Sequence, residues 1–158
     1  MRKILVTYFS AGGVTKGVAE KLARAAGAEL FEIVPEQAYT NEDLNWNNRQ
    51  SRSSVEMSDR TCRPGVRFTV SDMGQYDCVF VGFPVWWYRE PSIIDTFLET
   101  YDFSGKTLVP FCTSGGSGLG ETADNMRSIA KGADVREGKR FSSGVSEEEL
   151  RTWVNEIA

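Results

Sequence analysis

The chain has 158 residues, 41% of them apolar, enough for one domain with a substantial core. Its net charge of −4 and pI near 5.0 come without any basic stripe, which excludes a binder of the nucleic-acid backbone. There is no histidine, and that removes Ser–His and Cys–His nucleophile pairs, imidazole acid–base catalysis and most zinc sites.

The opening MRKILVTYF has an apolar run too short for a secretory leader or a membrane span, so no membrane association is expected. The cysteines Cys62, Cys78 and Cys112 show no CxxC spacing and fit a reduced, cytoplasmic setting. Residues 3–9 (KILVTYF) read as a buried strand, and 14–26 follow as a helix with Val14, Val18, Leu22 and Ala25 on its apolar stripe. Residues 29–34 (ELFEIV) read as a second buried strand. A polar insert spans about 36–76, with a weak helical stretch near 41–57 and a break at Arg63-Pro64-Gly65; it is too long for an ordinary connection.

Residues 78–83 (CVFVGF) and 107–112 (TLVPFC) are near-continuous apolar runs, as a parallel sheet covered on both faces requires. Between them Pro91 suits a first helical turn, and Ile93, Ile94, Phe97, Leu98 and Tyr101 make the core face of a helix over 91–101. A further helix is expected over 119–130 and a weaker fifth strand near 133–138. Ser146 and Glu149 form a capping box before the last helix. This alternation predicts a single α/β domain with a doubly wound five-stranded parallel sheet, order 2-1-3-4-5, and helices on both faces.

Three loops carry the chemistry. The first is SAGGVT (10–15), where a strand runs straight into a helix and leaves backbone N–H groups unpartnered. Glycines at 12 and 13 let that backbone curl around an anion, with Ser10 and Thr15 as extra donors. It lacks the GxxxxGK[ST] of a Walker loop, and an N-cap with a glycine turn is the plainer alternative. The second is GFPVWWYREP (82–91), where Trp86, Trp87 and Tyr88 stand in a row; they cannot all enter the core, so at least one borders a cleft. A hydrophobic plug or a dimer contact is the alternative there. The third is TSGGSGLGET (113–122), an N–H-rich loop suited to a planar ring edge, or simply a long turn. Its Gly118-x-Gly120-x-x-Ala123 imitates a dinucleotide fingerprint, but too little chain follows to build the nucleotide half.

In a 2-1-3-4-5 sheet the ends of strands 1, 3 and 4 meet at the switch point, so the three loops converge on one crevice. The implied ligand has a phosphate at one end and a flat, hydrogen-bonding ring at the other, a description FMN fits. Elsewhere, Asp72 and Asp77 read as caps or solvated groups, not metal ligands. Arg49 and Arg52 either face solvent or reach a flavin, nicotinamide or substrate phosphate, and Glu56 is a candidate partner for them. Cys78 and Cys112 read as small core residues, with Cys112 beside the crevice. A receiver domain of the same topology would need acidic residues ending the first strand, and Thr7-Tyr8-Phe9-Ser10 has none.

The segments YFSAGGVTK…VAEKLA, FEIVPEQAYT, YDCVFVGFPVWWY and TFLETYDFSGKTLVPFCTSGGSGLG resemble the flavodoxin family, in particular a branch with two tryptophans in the second loop, over nearly the whole chain. That resemblance implies the flavodoxin-like fold, bound FMN and electron transfer. It implies that Ser10, Ala11, Gly12, Gly13, Val14 and Thr15 hold the phosphate. Pro84, Val85, Trp86, Trp87 and Tyr88 would flank the isoalloxazine on one side, and Thr113, Ser114, Gly115, Gly116 and Gly118 would contact it or the ribityl chain on the other. Partners would be redox proteins or a small-molecule acceptor, with NAD(P)H as a further candidate, and the chain a monomer or homodimer. Two departures stand out. The family's S/T-x-T-G-N-T loop has Gly12 for its threonine and Val14 for its asparagine, losing two side-chain donors worth roughly 1.5–3 kcal/mol each against a charged group, so FMN is expected to be held less tightly. The second loop has no glycine, where many one-electron members have one whose peptide turns over on reduction. An FMN-dependent NAD(P)H reductase of quinones or similar acceptors is therefore the alternative to a flavodoxin-type electron carrier.

Overall fold

The computed structural model describes residues 3–114 and 118–157. The parallel sheet is built around β1 (Ile4–Tyr8), β3 (Cys78–Pro84) and β4 (Thr107–Thr113), flanked by β2 (Glu29–Glu32) and β5 (Asp134–Val135), in the order β2-β1-β3-β4-β5. The three central strands are buried along almost their whole length, as their apolar runs demand. Thr7, the polar residue inside β1, donates its hydroxyl to the Phe80 carbonyl at 2.8 Å.

The alternation of side chains splits the core in two. Val6, Tyr8, Phe80, Val109 and Phe111 point to one face, where α1 (Val14–Ala26) and α5 (Glu147–Ile157) cover them with Leu22, Leu150 and Trp153. Leu5, Val79, Val81, Phe83 and Leu108 point to the other, under α3 (Ser92–Thr100) and α4 (Thr122–Ile129). The expected cap of α5 is present, Glu149 N–H donating to Ser146 Oγ at 3.1 Å. Among the described residues no helix is long and apolar enough to cross a membrane.

Several expectations are corrected. β2 is an edge strand, not a buried one: Leu30 is 40% exposed, and Glu29 and Glu32 are exposed beside it, charges that guard an open edge. Pro91 stands just before α3 as its N-cap, so its ring precedes the first turn. The helix expected from 119 starts at Thr122, because Leu119–Glu121 form a turn whose Leu119 carbonyl accepts from Thr122 Oγ1 at 2.7 Å. Val14 leaves the apolar stripe of α1 and is 49% exposed, while Thr15 turns inward.

To the five strands the structure adds a sixth, β6 (Lys139–Phe141), which pairs in parallel with the carboxyl end of β4. β5 pairs only with the start of β4, through Thr107 and Leu108. Between them the chain bends at Gly138, where φ is +80° and a Cβ would lie 2.1 Å from the Pro110 carbonyl oxygen. Only glycine meets both conditions.

The polar insert leaves at Pro35 and returns at Val66, an antiparallel bridge between these residues closing its base. Its α-helical content is one short helix, α2 (Arg52–Ser58), in place of the long stretch expected near 41–57; the residues before it form turns. Arg52 organises the insert. Its guanidinium lies 3.8 Å from the Tyr39 ring centroid, pairs with Glu56 at 3.0 Å and donates to the Gln37 carbonyl at 2.7 Å.

Candidate functional site

Strand register places the three loops together. Pro84 is level with Thr113 and Tyr8 with Gly82, so the chain leaves β1, β3 and β4 at one edge of the sheet. Val85 N–H donates to the Thr113 carbonyl at 3.3 Å, and Thr15 Oγ1 meets Thr113 Oγ1 at 2.7 Å in a buried contact that joins the start of α1 to the end of β4.

In the first loop Gly13 takes φ +93° ahead of α1. Ser10 Oγ accepts from Gly13 N–H at 3.0 Å and from Lys16 N–H at 3.2 Å, so its oxygen caps the helix while its hydroxyl proton points elsewhere. The N–H groups of Val14 and Thr15, at the head of the helix, meet no protein acceptor among the described residues. Both residues line a cavity of about 700 Å³, together with Ala11, Gly12, Pro84, Thr113, Ser114 and the 140–143 segment. Arg140 reaches this cavity from β6 and donates to the Ser114 carbonyl at 3.0 Å. Its cation lines the same cavity as the amide-rich helix start, a positive rim in an acidic protein. The strand reading placed the last β segment at 133–138 and so passed over this arginine.

The second loop is a two-residue hairpin. Trp86 N–H donates to the Arg89 carbonyl at 3.1 Å and Arg89 N–H to the Trp86 carbonyl at 3.2 Å. Its central residues, Trp87 and Tyr88, have φ of 48° and 64°, values that such turns normally reserve for Asn-Gly. Trp86 packs edge-on against Phe9 and Tyr39, with centroids 5.7 and 5.4 Å away, so it is the aromatic that enters the core. Trp87 and Tyr88 are 43% and 71% exposed. The third loop meets this turn: Glu121 N–H donates to the Tyr88 carbonyl at 3.0 Å. Thr113 is buried and Ser114 half-buried, whereas Gly118 is exposed; Gly115 and Gly116 lie outside the described residues.

Behind the aromatic turn sits a buried charged cluster that the sequence reading left unremarked. Arg89, Glu90 and Asp95 are each at most 3% exposed. Arg89 lies 3.5 Å from Asp95 and donates to the Met57 carbonyl of the insert at 3.2 Å; Asn125 of α4 donates to Glu90 Oε1 at 3.1 Å. Glu90 Oε2 and Asp95 Oδ1 are both buried, and neither meets a donor among the described residues. One proton held between the two carboxyls resolves this. Burial, reinforced by the neighbouring Asp95, pushes the Glu90 carboxyl up to about 9, while the Arg63 and Arg89 cations offset part of the burial cost at Asp95. The readable signal was Arg-Glu set between an aromatic run and Pro91.

Asp77 accepts from Lys3 N–H at 3.0 Å at the amino end of β3, far from the loops. Among the described residues no group of three Cys, Asp or Glu side chains is placed to hold a metal. Cys112 is fully buried in β4, and burial pushes its thiol up to about 11.

Comparison with known proteins follows the same lines. The family model described as Flavodoxin matches residues 3–157. The chain is 44% identical to a flavoprotein candidate from Bacteroides eggerthii, covering 99% of this chain and 98% of that one with a TM-score of 0.92. A flavoprotein candidate from Bacteroides uniformis is 40% identical over 98% of each chain, again with a TM-score of 0.92. A Lactobacillus acidophilus flavoprotein, solved in complex with FMN, shares the fold at 23% identity and a TM-score of 0.73, covering 98% of this chain and 99% of that one. No curated protein matches the sequence.

Proposed function

Because the chain belongs to the flavodoxin family, we propose that it binds FMN in the cavity at the carboxyl edge of its sheet and passes electrons between a reduced donor and an acceptor. The observation that carries this reading is the α1 start: Val14 and Thr15, whose N–H groups meet no acceptor among the described residues, line with Gly12 a cavity of about 700 Å³, roomy enough for a phosphorylated flavin. Ser10 to Thr15 would hold the phosphate. Thr113, Ser114, Gly115, Gly116 and Gly118 would line one side of the ring and chain and Pro84 the other, while Val85, Trp86, Trp87 and Tyr88 line an adjoining hollow with the insert. The bound flavin supplies the redox chemistry; the protein supplies the slot, the hydrogen bonds and the exclusion of water. The net charge of −4 suits basic redox partners.

Arg140 stands where the side-chain donors missing at Gly12 and Val14 would be replaced by a cation. Arg140→Gln is expected to weaken FMN binding about tenfold, the value of one partly exposed charged hydrogen bond, and to leave riboflavin binding unchanged. Equal losses for the two ligands would remove Arg140 from the phosphate end.

A second reading, an FMN-dependent NAD(P)H reductase of quinones or similar acceptors, is supported by the aromatic turn. Its Tyr88 carbonyl is already bonded to Glu121 N–H and its ends are doubly tied, so a backbone reversal there must break these contacts. One-electron carriers use such freedom; two-electron reductases do not need it. Both readings are checked by adding FMN and titrating with dithionite while recording the visible spectrum. Two successive one-electron steps belong to the carrier, one two-electron step belongs to the reductase, and no bound flavin overturns both.

A further inference from the structure

We infer that the groove between the polar insert and the aromatic turn is a second ligand site, one that seats a planar, carbonyl-bearing aromatic molecule of the quinone class. The inference rests on the reading of the neighbouring cavity as the flavin site. Two adjoining hollows of about 400 and 480 Å³ share Trp46 of the insert and Trp87 of the turn as common walls. Trp46 is 70% exposed. Among the described residues the two indoles make no ring contact with each other, and both hollows lie against the pair. An electron-poor quinone ring is the complement of such electron-rich faces.

The polar groups narrow the class. Ser53 lines the first hollow; it is 2% exposed, and among the described residues its hydroxyl has no hydrogen-bond partner. A buried hydroxyl without a partner costs stability, and a ligand carbonyl removes that cost. Arg49 lines the second hollow and is the one charged side chain among the residues lining either. No carboxylate there opposes a neutral or anionic guest. A dinucleotide fits less well, since a pyrophosphate needs several converging donors. Ser54 and Ser58 are committed within the insert: Ser54 Oγ accepts from Ser51 Oγ at 2.9 Å and Ser58 Oγ donates to the Ser54 carbonyl at 2.7 Å.

The groove is also held in place. Tyr39 packs on Phe9 and Trp86, Arg89 binds the Met57 carbonyl, and Ser92 Oγ donates to the Glu56 carbonyl at 3.2 Å. These contacts fix the insert against the turn whose first residues, Pro84 and Val85, stand between the groove and the flavin cavity. A molecule in the slot is thereby brought to the edge of that cavity, the position an electron acceptor requires.

The test uses anthraquinone-2-sulfonate, which is planar, carries two carbonyls and an anion, and has no open position for addition of a thiol. Binding is measured by calorimetry to the FMN-loaded protein and to the protein without FMN. Saturable 1:1 binding is expected in both forms. Trp46→Ala is expected to weaken it at least tenfold while changing FMN affinity by less than twofold. Arg49→Gln is expected to weaken the sulfonate several-fold and leave an uncharged anthraquinone unaffected. Absence of binding overturns the inference, as does a Trp46→Ala loss of FMN affinity as large as its loss of quinone affinity, which would make the groove the flavin's own ring seat. Tighter binding of NADPH than of the quinone, also lost in Trp46→Ala, would replace the quinone class with a nicotinamide. If FMN fails to bind while the quinone result stands, the flavin reading falls and the groove remains.

Discussion

Gly120→Ala is expected to destabilise the protein by about 3 kcal/mol and to loosen the ring end of the flavin cavity. A Cβ at this position would lie 1.9 Å from the Tyr88 carbonyl oxygen and 2.7 Å from its carbon, and φ there is +56°. The obstacle is backbone on both sides, so no side chain can swing away to admit the methyl group. The left-handed backbone alone costs an alanine about 1–2 kcal/mol, and the overlap adds a term of similar size. The bond from Glu121 N–H to the Tyr88 carbonyl, now 3.0 Å, is the contact that must give. Since it joins the aromatic turn to the third loop, FMN and riboflavin should lose affinity equally, in contrast to the phosphate-selective effect of Arg140→Gln. Urea denaturation together with the two flavin affinities measures this. Wild-type stability in Gly120→Ala would show that the two loops do not meet.

The second large effect is the pH dependence set by the buried carboxyl pair. The folded protein holds a proton on Glu90 up to about pH 9, whereas an unfolded glutamate releases it near its ordinary value of 4.5. Between these limits the native state binds more protons than the unfolded state, so stability is full below about 4.5 and falls as pH rises toward 9. One proton taken up on folding corresponds to a slope of up to about 1.4 kcal/mol per pH unit. Glu90→Gln replaces the protonated acid with a neutral group of the same shape that still donates toward Asp95. It is expected to flatten the decline and to leave the variant more stable than wild type at pH 8. Parallel urea curves from pH 5 to 9 provide the check, and identical slopes for the two proteins would assign the pH dependence to other groups. Because Arg89 and Glu90 directly follow the turn, the same titration should soften the aromatic wall, seen as a rise in Trp fluorescence quenching by acrylamide above neutral pH.

The legible parts of the fold were those governed by short-range patterning. Apolar runs marked β1, β3 and β4 because a strand buried on both faces has no polar side to show. The Ser146…Glu149 spacing marked the start of α5, since one hydroxyl must serve an unpaired amide. The convergence of three loops followed from strand order and needed no coordinates. The failures share a cause as well. β2 looked buried because Leu30 and Phe31 are apolar, but its place at the sheet edge leaves Leu30 exposed. Val14 was assigned to the core by helical spacing, yet it sits in the first turn, where α1 has risen clear of the sheet and lines the cavity instead.

The amino-acid sequence by itself determined the class of the protein: a doubly wound parallel sheet, an amide-rich loop before α1, an aromatic loop after β3 and a glycine loop after β4. Those features are local, and each follows from residues a few positions apart. Tertiary structure alone decided what surrounds the loops. It brought Arg140 to the first of them through the bend at Gly138 and the pairing of β6 with β4. It set Asn125 against Glu90 and the Met57 carbonyl against Arg89, and it folded the insert so that Trp46 and Trp87 share one groove. Such meetings join residues far apart in the chain. Close packing and the exclusion of water specify them, and no periodicity records either.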